Sequence, residues 1–189
     1  MQDKIRSILQ EAIAVQQQSL DRNAGVVAQI VRACVRCLES GGTLFFFGNG
    51  GSAADSQHVA AEFIGRFRKE RRALAAVALT TDTSILTCLA NDYSYDIVFS
   101  RQLEGLGKKG DMAFGLSTSG KSPNVLKAFE TARSMGITTV AFTGGDGGPA
   151  AAIADMSVIV PSRVTARVQE SHIAIFHAMC EVVEDAIAP

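Results

Sequence analysis

Phe45-Phe46-Phe47 runs straight into Gly48-Asn49-Gly50-Gly51-Ser52, and this junction constrains the fold more than any other stretch of the chain. A short run of bulky apolar residues reads as a buried strand, and the glycine cluster as its sharp exit. Ser52 followed three residues later by Asp55 reads as the N-cap and box partner of a helix. One turn further, His58 and Glu62 stand four residues apart and so share a helix face. A strand, a tight turn and a helix start present unpaired backbone N–H groups to an anion. With an imidazole and a carboxylate above it, such a cradle suggests a site that grips a phosphate ester and moves protons on it.

Beyond residue 40, strand and helix signals alternate. Strands are predicted at Leu44–Phe47, Ala75–Leu79, Met112–Leu116, Thr138–Phe142 and Ser157–Val160. Helices are predicted at Ala53–Gly65, Ser84–Ala90, Pro123–Met135, Ala150–Ala154 and Thr165–Ile187. This alternation implies an α/β fold, a five-stranded parallel sheet with helices on both faces, whose ligands bind outside the carboxyl ends of the strands. Residues 2 to about 40 are helical in period, with Asn23-Ala24-Gly25 expected to divide them into two helices. The apolar stripe of this extension needs a cover, and a partner chain would supply one. No linker interrupts residues 1–189, so a single domain is expected.

At 189 residues the chain can bury a core without disulfides or structural metals. A net charge of −1 gives no electrostatic footprint for nucleic acid. The basic cluster Arg66–Arg72 is interrupted by Phe67 and Glu70 and reads as a solvated turn with room for one functional arginine. No apolar run approaches the roughly 20 residues that span a bilayer. Cys34 and Cys37 form a CxxC, but within a helical pattern and with no second ligand pair, so they read as same-face helix neighbours. Cys88 and Cys180 stand alone in apolar surroundings, and reduced thiols in a cytoplasmic protein are expected.

Three strand ends carry small polar loops: Gly48–Ser52, Ser117–Pro123 and Thr143–Gly148. In the second, Ser122 can cap and Pro123 can take the first helical position. The glycine loop fits neither the dinucleotide nor the P-loop pattern, but two hydroxyl-rich and glycine-rich loops at strand ends favour a phosphate seat. Of the three histidines, His172 faces away from His177 and reads as structural. Gln169 and His177 share one broad helix face about 12 Å apart. The spacing of His58, Glu62, Gln169 and His177 matches no standard zinc motif.

Taken together, these blocks resemble the phosphoheptose isomerase family of the sugar-isomerase (SIS) domain superfamily. The resemblance runs through GNGGSAADSQHVAAE at Gly48–Glu62, Leu79-Thr80-Thr81-Asp82, Ala90-Asn91-Asp92, Ser117–Ser122, Thr143–Gly148 and Arg167–His177, essentially the whole chain. It implies isomerisation of D-sedoheptulose 7-phosphate to D-glycero-D-manno-heptose 7-phosphate, the first step toward the ADP-heptose of lipopolysaccharide. It also implies a cytoplasmic homotetramer with interfacial active sites and one zinc ion per subunit. Carried over by motif, Glu62 and His177 act as acid and base. Asn49, Gly50, Gly51, Ser52, Glu62, Asn91, Asp92, Ser117, Thr118, Ser119, Ser122 and Gln169 contact the substrate, and His58, Glu62, Gln169 and His177 hold the metal. The alternative within the superfamily is a non-catalytic protein that binds the replication initiator. Such proteins lack the carboxylate and histidine pair that this chain has.

Overall fold

The structure, a computed structural model, describes residues 1–188. A 38-residue helix, α1 (Gln2–Glu39), precedes β1 (Leu44–Gly48), α2 (Gly51–Ile64), β2 (Ala76–Ala78) and α3 (Thr83–Asp92). A 3-10 turn at Tyr95–Ile97 and α4 (Ser100–Leu106) follow. The chain continues through β3 (Met112–Ser117), α5 (Pro123–Ser134), β4 (Thr138–Gly144), α6 (Gly148–Ile153), β5 (Met156–Val160) and α7 (Thr165–Ile187). All five expected strands are present and all pair in parallel, in the order β2-β1-β3-β4-β5. The chain builds outward from β1 in one direction and from β3 in the other. The exits of β1 and β3 therefore flank the point where strand order reverses, which is where open α/β sheets bind ligands.

The phenylalanine triplet explains the two layers. Phe46 faces the core shared with α1, α2 and α7, whereas Phe45 and Phe47 face the core under α3, α4 and α5. Alternation along a strand sends neighbours to opposite faces, so only a strand covered on both sides accepts three in a row. Phe46 stacks on Phe114 of β3 at 4.8 Å, and Phe142 of β4 stacks on Phe176 of α7 at 4.1 Å. Each such ring, taken out of water, contributes about 1.5–3 kcal/mol.

Three local expectations are corrected. The N-terminal segment is one helix rather than two. Asn23 does not break it, because the amide of Asn23 turns outward to donate to Ile159 O (3.1 Å) and accept from Ile159 N (3.0 Å). That reciprocal pair satisfies the outer edge of β5, which no further strand covers among the described residues. Ser52 is not the cap of α2: Gly50 is, and the first turn closes on the carbonyls of Asn49 and Gly50 without a side chain. Cys88 is exposed, with its thiol 3.4 Å from Asp92, while Cys34, Cys37 and Cys180 are buried and all four are free. Burial pushes the Cys37 thiol up to about 11 and that of Cys180 to about 12, so neither is a ready nucleophile. Helix α4 had no place in the sequence reading. Its seven residues lack a polar cap and are held by Leu103 and Gln102 in the core.

Candidate active site

Helices α2 and α7 lie side by side and run in the same direction. Gly51 of α2 packs on Gln169 of α7, and seven residues further His58 meets His177. A Cβ on Gly51 would fall 2.4 Å from Gln169 Nε2, so only glycine lets the amide approach the loop so closely.

Two turns along, three of the expected metal ligands converge within one chain. His58 Nε2 lies 3.1 Å from Glu62 Oε1 and 3.4 Å from His177 Nε2. All three donor atoms lie within 4.8 Å of one another. One proton on His58 Nε2 cannot serve both neighbours at full strength, so the cluster gathers more lone pairs than protons. Zinc bonds of about 2.0–2.1 Å at tetrahedral angles set ligand atoms about 3.3 Å apart. The donor types and the two measured separations fit such an ion. Gln169 stands two turns before His177, about 12 Å along α7 by helical rise, with its amide at Gly51 rather than at the trio.

The first loop is tied to the second by amides. Asn49 Nδ2 donates to Asn124 Oδ1 and Asn124 Nδ2 donates to Asn49 Oδ1, both at 2.9 Å, across the exits of β1 and β3. The Tyr95 hydroxyl donates to the same Asn49 oxygen at 3.2 Å. That second donor fixes the amide orientation and leaves one Asn49 N–H for a ligand. Neither Asn124 nor Tyr95 was singled out from sequence. Asn124 looked like an ordinary residue of a helix's first turn, and nothing local links it to a residue 75 positions away.

In the second loop Ser122 is the N-cap residue of α5 with Pro123 following, as expected, but its hydroxyl makes no capping bond. It pairs instead with Ser117 Oγ at 2.9 Å. Ser119 is exposed, and Thr118 accepts Gly144 N through its carbonyl. Thr118 and Ser119 line a polar cleft of about 240 Å3 together with Lys121, Gly144, Gly145, Asp146, Arg163 and Thr165. Gly120 makes the turn possible: its φ is +66°, and a Cβ there would lie 2.0 Å from the Gly147 carbonyl. Asn91 and Asp92 end α3 on the surface, bonded to each other at 2.8 Å.

Two further titratable groups lie on the same two helices. Asp55, one turn before His58, is half-buried with Oδ2 unpartnered among the described residues. Burial pushes its carboxyl up, and His58 partly offsets this. His172 is buried on the inner side of α7, as the sequence reading had it.

Comparison with known proteins matches this architecture along its whole length. The SIS domain matches residues 8–144. The phosphoheptose isomerase of Paramagnetospirillum magneticum is 53% identical, over 98% of this chain and 99% of that protein. The phosphoheptose isomerase of Aquifex aeolicus is 47% identical, over 99% and 98% respectively. The solved structure of the phosphoheptose isomerase GmhA from Neisseria gonorrhoeae superposes with a TM-score of 0.92 at 42% identity, covering 97% of this chain and 98% of that one. These matches take in the glycine loop, the serine loop and the helix that carries His177, so the chain belongs to the phosphoheptose isomerase family of SIS-domain proteins.

Proposed function

We propose that this chain interconverts D-sedoheptulose 7-phosphate and D-glycero-D-manno-heptose 7-phosphate, supplying the first step toward ADP-heptose in the cytoplasm. The observation that carries this reading is the meeting of Glu62 with His177 through His58, on the helix that leaves the glycine loop. In this reading the Glu62 carboxylate takes a proton from C1 of the ketose, giving a cis-enediol, and returns it to C2. His177 moves the hydroxyl proton from O1 to O2. C1 is oxidised as C2 is reduced, so no redox partner is required. Each group contributes on the order of 10²–10⁴-fold.

The phosphate is read as sitting on the Ser117–Ser122 loop and the spare Asn49 N–H, with Gly50, Gly51, Ser52, Asn91, Asp92 and Gln169 reaching the sugar. His58, Glu62 and His177 would hold a zinc ion, one per subunit. Such an ion, when bound, polarises a carbonyl oxygen. Gln169 of the same chain serves substrate in this reading, since its amide lies at the loop.

The loops and the trio of one chain stand at two ends of α2, which supports an interfacial site in which a neighbouring chain brings its loops toward this chain's trio. Ile5, Leu9, Ile13 and Leu20 of α1 are exposed apolar residues, and α1 and α7 flank an apolar groove of about 210 Å3. Both features suit the covering of α1 in a homotetramer. Incubating purified protein with sedoheptulose 7-phosphate tests the proposal. Formation of the aldose supports it, and no product with or without added zinc would favour the initiator-binding alternative.

A further inference from the structure

Nine of the ten phenylalanines are buried in the two cores. The tenth, Phe67, is half-buried at the rim of the first core, with its ring centroid 5.6 Å from that of His177. It belongs to the irregular segment between α2 and β2, which would hold a ring in place poorly unless its backbone groups were bonded. Those bonds come from one carboxylate. The N–H groups of Phe67, Arg68 and Lys69 donate to Glu184 at 2.9, 2.6 and 2.8 Å.

Glu184 lies on α7, seven residues and two turns beyond His177, on the same face. It is fully buried, and its counter-ion is the equally buried Arg71, at 3.0 Å. The cluster Arg66–Arg72 is thus not a wholly solvated turn. Arg71 also donates to the carbonyls of Glu62 (2.8 Å), Phe63 (2.9 Å) and Gly65 (3.2 Å), which close the last turn of α2. Burial alone would push the Glu184 carboxyl up, but the three backbone N–H groups and Arg71 hold it below the usual carboxylate range. The neighbouring pairs Arg68–Glu181 and Lys69–Asp185 are exposed and contribute little.

We propose that Glu184 and Arg71 are the positioning pair of this site: Glu184 winds residues 67–69 so that Phe67 rests on His177, and Arg71 fixes the turn of α2 that aims Glu62 at His58 and His177. The catalytic part of this inference rests on the isomerase reading above. Neither charged end bonds to a side chain of the trio; Arg71 reaches only the backbone carbonyl of Glu62. Both act through backbone, one on the segment bearing Phe67 and the other on the turn bearing Glu62.

The test uses the full chain as Glu184→Gln and Phe67→Leu, with Glu184→Asp taking the place of the first if that variant does not accumulate folded. The chain's three histidines make their ring resonances a direct readout, and buried His172, bonded to Thr143 rather than to this segment, is the internal control. In both variants the His177 signal should move while His172 stays. Amides 67–69 should lose hydrogen-exchange protection in the Glu184 variant only. With sedoheptulose 7-phosphate, kcat should fall about ten- to a hundredfold in the Glu184 variant, the scale of a misplaced catalytic group. KM should stay near its wild-type value, because the phosphate loops lie elsewhere. Unmoved His177 signals with wild-type kcat would overturn the proposal. So would a His172 signal that moves together with general unfolding, which would make the pair merely structural. A wild type that turns over no heptose phosphate would sink the isomerase reading instead, and the resonances and exchange would still decide whether the pair positions the trio.

Discussion

His172 makes folding stability depend on pH in a window that can be worked out from its surroundings. Its Nε2 lies 3.1 Å from the Thr143 carbonyl, which can only accept, so Nε2 carries the proton of the neutral ring. Nδ1 is buried with no partner among the described residues, and the ring edge meets Phe142 at 5.4 Å. A second proton would have nowhere to donate. Burial therefore lowers the pKa from 6.5 to about 4, against a smaller opposing effect of the Thr143 bond.

Between those values the unfolded chain holds a proton that the folded chain does not, so stability rises with pH. The contribution is complete above pH 6.5 and is lost as the pH falls toward 4, amounting to about 3 kcal/mol over the window and about 2 kcal/mol between pH 7 and 5. Glu184, held below its ordinary value, adds its own loss only at lower pH, and Asp55, raised, acts in the opposite sense. Urea unfolding at fixed protein concentration should show the midpoint falling by about 1 M between pH 7 and pH 5. His172→Gln keeps a neutral N–H donor and cannot titrate, so its midpoint should lose most of that dependence. A wild-type midpoint that does not move, or a variant with the same slope, would refute the reasoning.

Glu62 and His177 meet within one chain, so mixed oligomers of Glu62→Gln and His177→Ala should stay inactive. Glu62→Gln mixed with a loop-dead Ser119→Ala/Ser122→Ala protein should regain part of the activity across an interface, and the reverse pattern of rescue would remove the proposed arrangement. Gly51→Ala should push the Gln169 amide off the loop and raise KM for the sugar phosphate about two- to tenfold, the worth of one lost hydrogen bond to a neutral sugar hydroxyl. Thermal unfolding should stay near wild type because the clash is with a flexible side-chain end, and an unchanged KM would show that Gln169 does not serve substrate. Zinc content measured after chelator-free purification should reach one per chain in the wild type and fall sharply in His58→Ala. Equal content in both would place any zinc elsewhere.

Much of the fold was legible because its signals are local. Strand candidates such as Thr138–Phe142 and the helix Thr165–Ile187 are marked by apolar period, and their ends by glycine, proline and hydroxyl residues, each acting on its own few neighbours. The same holds for Pro123 opening α5 and for His58 and Glu62 sharing a face. Local rules misled where a distant partner intervened. Asn23 looked like a break but is spent on the edge of β5, and Ser122 looked like a cap but is bonded to Ser117. Tertiary structure alone decided the strand order that sets the exits of β1 and β3 side by side, and the parallel course of α2 and α7. That course places His58 beside His177, 119 residues later, sets Gln169 against Gly51, and buries Arg71 against Glu184. A sequence states which faces need covering, whereas which elements cover them is settled by packing the whole chain at once. The candidate site consists of contacts of that second kind.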